Sequence, residues 1–270
     1  MKKVRFSRSW LAIPYALFLA VFVIVPLFFV LYYAFRDDVT GKLTFGNFKA
    51  FFTSSVNWKV AGRSLLIAAL STAMCLLIAY PVAYIIARSK LKNKSAILLI
   101  FIVPMWVNFV LRINALKELL SWMKLINKSA SWDIFNTVLG MVYDFLPFMI
   151  LPIYTTILKI DKSYPEAARD LGANNAEVFL RVTLPLSKPG ILSGISMVFL
   201  PSMTNYVVSN WMTNNKVTII GGFIDFAFLN DSWGRGSVTA IVLLALMFLF
   251  TWLTGGFKED GGAAKGKALW

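Results

Sequence analysis

The chain has 270 residues, of which 58% are hydrophobic and 15% are charged, and its mean hydropathy is +0.69. A soluble core cannot hide that much apolar surface, so the composition indicates an integral membrane protein. Because the sequence contains no histidine and a single cysteine, Cys75, it excludes a disulfide within the chain and the common Cys/His metal sites.

Six stretches without charged residues are long enough to cross a bilayer. A spanning helix needs roughly 20 apolar residues, and the third stretch is the shortest. We therefore expect an all-α integral membrane protein with six transmembrane helices in a single domain, residues 1–270. The predicted spans cover about residues 10–35, 64–87, 95–112, 134–158, 190–213 and 236–257.

Lysine and arginine are unevenly distributed between the segments that connect these spans. Cytoplasmic loops carry an excess of both residues, and an even number of spans puts the two termini on one side. With the N-terminus inside, the inner segments hold 16 of the 27 bases and the outer segments hold 11. We predict a cell-membrane protein with both termini in the cytoplasm. Because the bases are spread over several loops, the net charge of +14 favours contacts with anionic lipids over nucleic-acid binding.

Polar residues interrupt the fourth and fifth predicted spans. Asp144, beside Tyr143, is the one charge in the interior of a predicted span. At about 1.5 Å per residue it lies roughly 15 Å from the outer end of its helix, near the bilayer midplane, where an acid costs about 2.5–3.5 kcal/mol. It either lines a solute route or bonds to an Asn, Ser or Lys of another helix or subunit, and both interpretations stay open. The further candidates for the route are Asn205, Tyr206 and Asn210.

The polar segment between the fourth and fifth predicted spans has two helix-start patterns. Ser163 and Glu166 have the spacing of a capping box, which predicts a helix that starts one residue after Ser163. Gly172 is placed to end that helix in the left-handed conformation that glycine adopts without strain. Asn174 and Glu177 repeat the capping-box spacing and predict a second short helix.

The same segment contains a longer pattern, which runs Glu166-Ala-Ala, three residues, Gly172, nine residues, and Val-x-Leu184-Pro185. This spacing resembles the cytoplasmic EAA loop of the membrane subunits of ATP-binding-cassette (ABC) importers, in which a short helix docks on an ATPase subunit. The resemblance implies a type I ABC importer permease fold, with residues 159–189 as the coupling loop. The residues that it implies for coupling to the ATPase are Glu166, Ala167, Ala168, Asp170, Gly172, Leu184 and Pro185.

Three further segments narrow the resemblance. Residues 104–112 resemble the Pro-x-Trp…Leu-Arg segment of spermidine/putrescine importer permeases, and residues 79–88 and 146–154 also resemble that group. The implied assembly joins this chain to a second homologous permease, two ATPase subunits and an extracytoplasmic polyamine-binding protein. ATP and Mg²⁺ then bind to the ATPase, and this chain needs no cofactor, no metal and no catalytic residue.

Two shorter patterns concern helix packing. Gly190 and Gly194 form a small-xxx-small pair, which permits two helices to approach closely just after the loop and to transmit its movement into the fifth span. The outer segment 113–133 predicts a short amphipathic helix. Its apolar side consists of Leu116, Leu119, Leu120 and Met123.

Other functions stay open from the sequence alone. The permease could serve a different small solute, or the chain could be a channel or ion-coupled carrier that works without ATP. An embedded enzyme is the third class, and Asp144 would be its one plausible acid because histidine is absent. Co-purification with an ATPase separates the importer from the other two.

Overall fold

The structure is a computed structural model, and it describes residues 13–89, 92–126 and 128–255. In these ranges the regular structure is helical apart from one isolated β-bridge between Arg36 and Leu43. The predicted all-α class is confirmed. The first helices are α1 (Ile13–Leu19), α2 (Val25–Ala34), α3 (Gly46–Thr53), α4 (Ser55–Arg88), α5 (Lys94–Ile102), α6 (Phe109–Trp122) and α7 (Ala130–Lys159). They are followed by α8 (Ser163–Asp170), α9 (Asn175–Val178), α10 (Leu184–Leu186), α11 (Lys188–Thr204), α12 (Tyr206–Thr213), α13 (Ile220–Leu229) and α14 (Trp233–Leu253).

Four helical stretches are long and apolar enough to cross a membrane on their own. They are Pro14–Ala34, Ser55–Arg88, Ala130–Lys159 and Trp233–Leu253. Two further pairs reach the required length only if each bent pair counts as one span. These pairs are Ala96–Trp106 with Phe109–Trp122, bent by 93°, and Asn175–Leu186 with Lys188–Thr204, bent by 62°. The described residues therefore form a multi-pass membrane protein with four to six spans, and the number six stays a prediction.

The predicted third span, 95–112, does not form one straight helix. After α5 the chain continues as a 3-10 turn that contains Pro104, and Val107 is extended. Asn108 then caps α6, since its side chain accepts a hydrogen bond from the N–H of Val110 at 2.9 Å. A proline without a donor followed by an asparagine with a capping side chain explains why the helix breaks here.

The predicted fifth span, 190–213, is also broken. α11 and α12 meet at Asn205, whose backbone is not helical (φ −73°, ψ 69°). The N–H of Asn205 donates to the carbonyl of Pro201 at 2.9 Å, and its side chain accepts from the N–H of Val208 at 3.4 Å. Asn205 thus closes one helix and caps the next.

The described residues divide into two compact units. The first takes in the chain up to Lys59 together with Phe223–Leu246. Its small core centres on Ala34, Phe51 and Val238. Within it the carboxylate of Asp38 accepts from the N–H of Gly234, at 2.9 and 3.1 Å from its two oxygens, and so caps the start of α14.

The second unit takes in Val60–Gly222 together with the described chain from Met247. It contains the larger core, and α7 supplies many of its fully buried side chains, among them Met149, Ile153 and Ile157. The candidate coupling loop and both stretches of the candidate solute route belong to this unit.

α6 forms the predicted helix of the outer segment, although only half of the predicted apolar side is buried. Leu120 is buried and Leu116 packs against the core. Leu119 and Met123 are instead 53% and 52% exposed, and Met123 lies just after the end of the helix. The four predicted residues have the helical spacing of one side, and the buried positions of α6 are Ile113 and Leu120.

α11 packs closely on α7 at Gly190 and Gly194. A Cβ atom on Gly190 would lie 2.7 Å from the carbonyl oxygen of Pro152 and 2.7 Å from the Cβ of Thr156. A Cβ on Gly194 would lie 2.6 Å from the sulfur of Met149. The predicted close approach at this pair is confirmed.

We expect Gly190→Ala to destabilise the chain more than Gly194→Ala, because backbone is the obstacle at Gly190 and a flexible side chain is the obstacle at Gly194. Overpacking of this kind costs about 1–3 kcal/mol. The measurement is thermal unfolding in detergent. Gly62→Ala is the control, since a Cβ there meets nothing within 4 Å. Equal stability of Gly190→Ala and Gly62→Ala would contradict the packing account.

Candidate coupling loop and solute route

The start of α8 differs from the prediction. The helix begins at Ser163, and the side chain of its N-cap residue, Lys162, forms no capping hydrogen bond. The carboxylate of Asp161 accepts the N–H of Ser163 at 2.9 Å, and this hydrogen bond lowers the pKa of Asp161. The predicted capping box of Ser163 with Glu166 is therefore wrong, because an acid two residues earlier already satisfies the free donor.

The end of α8 has the predicted form. Gly172 has a φ of +87°, in the left-handed region. Its N–H donates to the carbonyl of Arg169 at 2.8 Å, and the N–H of Ala173 donates to that of Ala168 at 3.0 Å. This pair of hydrogen bonds is the Schellman motif, which satisfies the last carbonyls of the helix and turns the chain sharply.

The second capping box is confirmed. The side chain of Asn174 accepts the N–H of Glu177 at 2.9 Å, and the side chain of Glu177 accepts the N–H of Asn174 at 3.0 Å. Both bonds fix the start of α9 directly after the Gly172 turn. Two short helices therefore meet at a defined bend.

The loop packs against α4. Phe179 packs edge-on against the rings of Tyr80 and Tyr84, with centroids 5.7 and 5.5 Å apart. The hydroxyls of Tyr80 and Ser187 lie 2.8 Å apart. The loop is thus joined to a long membrane helix by ring contacts and a buried hydrogen bond.

A solvent-exposed face of α8 carries an apolar stripe. Tyr164, Ala167 and Leu171 follow one another at helical spacing and are all exposed, Leu171 at 89%. Of the residues implied for coupling, Glu166, Asp170, Gly172 and Pro185 are also exposed, whereas Ala168 and Leu184 are half-buried. Sequence analysis did not single out Tyr164 and Leu171, although their spacing to Ala167 was readable.

Asp144 forms an ion pair with Arg112 of α6. Nη2 of Arg112 lies 2.5 Å from Oδ1 of Asp144, and the two side chains are 9% and 8% exposed. The guanidinium also lies 5.7 Å from the ring centre of Tyr143. Nε of Arg112 is buried and has no hydrogen-bond partner among the described residues.

Within this chain the partner of Asp144 is Arg112, rather than the Asn, Ser or Lys that the sequence analysis considers, and the solute-route interpretation stays a prediction. A lone charge inside the membrane is costly, and an opposite charge at this distance offsets much of that cost. Asp144 and Arg112 are the only ion pair among the residues that the structure describes. Neither can lose its partner without leaving a buried charge.

The candidate route residues divide between two cavities. Asp144, Arg112 and Asn205 line a cavity of about 400 Å³, whose other walls include Phe109, Phe145, Phe148 and Pro201. Tyr206 and Asn210 line another of about 440 Å³. In the second cavity Nζ of Lys117 lies 5.7 Å from the ring centre of Trp211. The structure thus brings Asp144 and Asn205 together and places Tyr206 and Asn210 elsewhere.

Residues 79–258 match the family of binding-protein-dependent transport system inner membrane components. The chain belongs to this family. The spermidine/putrescine transport system permease protein PotB of Salmonella typhimurium strain LT2 is 36% identical over 255 residues, which cover 87% of this chain and 88% of that protein. PotB of Escherichia coli strain K12 is 37% identical over 211 residues, which cover 72% and 77%.

The fold is also that of a solved transporter. A chain in the crystal structure of a bacterial alginate ABC transporter, in complex with an alginate pentasaccharide-bound periplasmic protein, matches with a TM-score of 0.72. The match covers 93% of this chain and 95% of that chain at 15% sequence identity, so it concerns the fold alone. The family match and the 36–37% identical permeases confirm the predicted class, an ABC importer permease.

Proposed function

We propose that the chain is the membrane subunit of an ATP-driven importer of polyamines such as spermidine and putrescine. The observation that carries the substrate class is the 36% identity to a spermidine/putrescine permease over 87% of the chain. The complete importer contains a second homologous permease, two ATPase subunits that bind ATP and Mg²⁺, and an extracytoplasmic binding protein. The permease chain itself contributes no catalytic residue.

Six spans put both termini and residues 159–189 in the cytoplasm. There the exposed stripe of Tyr164, Ala167 and Leu171 enters a cleft on the ATPase, and Glu166 and Asp170 form polar contacts at its rim. The Schellman turn at Gly172 and the residues Ala168, Leu184 and Pro185 hold the loop in this shape. ATP-driven closure moves the loop, and the anchored helices switch the route between its inward-facing and outward-facing states.

The route uses the Asp144 carboxylate. A polyamine is a flexible polycation, so its ammonium groups need carboxylates or carbonyls and aromatic faces. An ammonium group that enters this cavity bonds to the Asp144 carboxylate alongside the guanidinium of Arg112, beside the Tyr143 ring. Asn205 supplies a polar contact in the same cavity, and Tyr206 and Asn210 supply contacts in the other.

The test is ATPase activity of the complex reconstituted in liposomes with its binding protein. We expect spermidine or putrescine to stimulate ATP hydrolysis and uptake, whereas arginine and lysine leave both unchanged. An absence of stimulation by any polyamine would remove the substrate assignment. Polyamine uptake that proceeds without an ATPase would favour a channel or carrier instead.

A further inference from the structure

A basic cavity lies where α8 meets the ends of two membrane helices. It measures about 480 Å³ and is bounded by the last residues of α4, the first residue of α5, and α8. Its lining contains four bases and one acid, Glu166. The bases are Arg88, Lys94, Lys162 and Arg169.

The bases of this cavity lack acidic partners. No carboxylate of the described residues lies within 4.0 Å of the charged nitrogens of these four bases. The one ion pair among the described residues joins Arg112 to Asp144, outside this cavity. Nη2 of Arg88 is buried and has no hydrogen-bond partner in the described part of the chain. A buried, charged donor without an acceptor is costly. Arg88 therefore needs an acceptor that the residues lining the cavity do not supply.

The position of the cavity limits what that acceptor can be. Arg88 ends the long membrane helix α4, and Lys94 begins α5. The ends of spanning helices lie at the level of the lipid head groups. Basic pockets between membrane helices on the cytoplasmic side bind anionic head groups, whose phosphate oxygens match guanidinium and ammonium donors.

We propose that this cavity, which we call the α4–α8 cavity, binds the phosphate group of an anionic phospholipid. The proposal rests on the cytoplasmic position of α8 given above. The bound phosphate accepts the free N–H of Arg88 at the membrane end and contacts Lys162 and Arg169 on the loop. The lipid phosphate therefore bridges the coupling helix and α4. The position of the loop then depends on whether the membrane contains anionic lipid.

The experiment measures phosphatidylglycerol retained by the full chain. The chain is purified in detergent from nanodiscs of phosphatidylcholine with or without phosphatidylglycerol, and the bound lipid is quantified by mass spectrometry. We expect the unaltered chain to retain phosphatidylglycerol and Lys162→Gln to retain about fivefold less, because one base near an anionic surface has an effect of that size. Arg88→Gln is expected to lose more, since it removes the buried donor.

Lys159→Gln is the matched control, because it makes the same charge change three residues from Lys162 and does not line the cavity. It should retain lipid like the unaltered chain. Equal retention by Lys162→Gln, Arg88→Gln and Lys159→Gln would overturn the proposal. So would displacement of the lipid by inorganic phosphate at equal concentration, which would indicate a free-anion site instead.

The polyamine assignment is tested separately. Stimulation by spermidine with no selective lipid retention would overturn the lipid site alone. Selective retention without stimulation by any polyamine would overturn the substrate alone.

Discussion

Arg112→Met and Asp144→Leu are each expected to destabilise the chain by about 3–5 kcal/mol, because each leaves a buried charge without its partner. The double variant should recover most of that loss, since it leaves no buried charge without a partner. Thermal unfolding in detergent measures all three. The cycle of single and double variants isolates the interaction between Arg112 and Asp144.

Lys117→Met is the matched control for Arg112→Met. Lys117 lies on the same helix and contacts the Trp211 ring, with no carboxylate within 4.0 Å among the described residues. Its substitution should cost far less. If the losses of Arg112→Met and Asp144→Leu simply added in the double variant, the ion pair would not be what stabilises this part of the bundle.

The same double variant separates stability from transport. It is expected to fold but to show no polyamine-stimulated ATPase activity, because the ammonium group finds no carboxylate in the cavity. Stimulation equal to that of the unaltered complex would remove Asp144 from the solute route.

Ala167→Trp is expected to abolish solute-stimulated ATP hydrolysis while the chain itself folds normally. Ala167 is exposed in the middle of the apolar stripe of α8, so the indole does not disturb the chain's own core. Surface changes of this kind usually shift stability by about 0.5 kcal/mol or less. The added bulk instead prevents the helix from entering a cleft that fits alanine. The measurement compares stimulated ATPase activity and the amount of ATPase that co-purifies.

Ala130→Trp serves as the control, because Ala130 is an exposed alanine at the first residue of α7, at the other end of that helix from the loop. It should leave both readouts unchanged. Normal ATPase co-purification and stimulation in Ala167→Trp would contradict the role of α8.

Local signals in the loop were largely readable from the sequence. The turn at Gly172 and the capping box of Asn174 with Glu177 involve residues within a few positions of one another, so their spacing was sufficient. The capping box predicted at Ser163 is wrong for a reason that is also local. The prediction did not consider Asp161 as a competing acceptor for the N–H of Ser163. Short-range hydrogen bonds are predictable only when every nearby acceptor is considered.

Contacts between residues that are far apart in the sequence could not be predicted from local patterns. Arg112 and Asp144 are 32 residues apart, and the sequence predicts Arg112 at the end of a span. The break at Asn108 turns the chain, and α6 then carries Arg112 to α7. Pro104 and Asn108 mark the break, but no local pattern shows which helix α6 then packs against.

The apolar helix α13 was missed for a different reason. It lies between the fifth and sixth predicted spans, in a segment expected on the outer side. Its run, Ile220–Leu229, is too short to span a membrane and contains Asp225. A search for uncharged stretches of spanning length cannot find such a helix. The same limit applies to the bent pairs, whose two halves are individually short.

The most direct test of the coupling role is cross-linking of α8 to the co-expressed ATPase. The sequence contains one cysteine, Cys75, and it is fully buried, so a thiol introduced by Ala167→Cys is the accessible one. Lys216→Cys, at an exposed position expected on the outer side, is the control. Our account predicts a cross-link to the ATPase from Ala167→Cys and none from Lys216→Cys. A cross-link from Lys216→Cys, with none from Ala167→Cys, would contradict it.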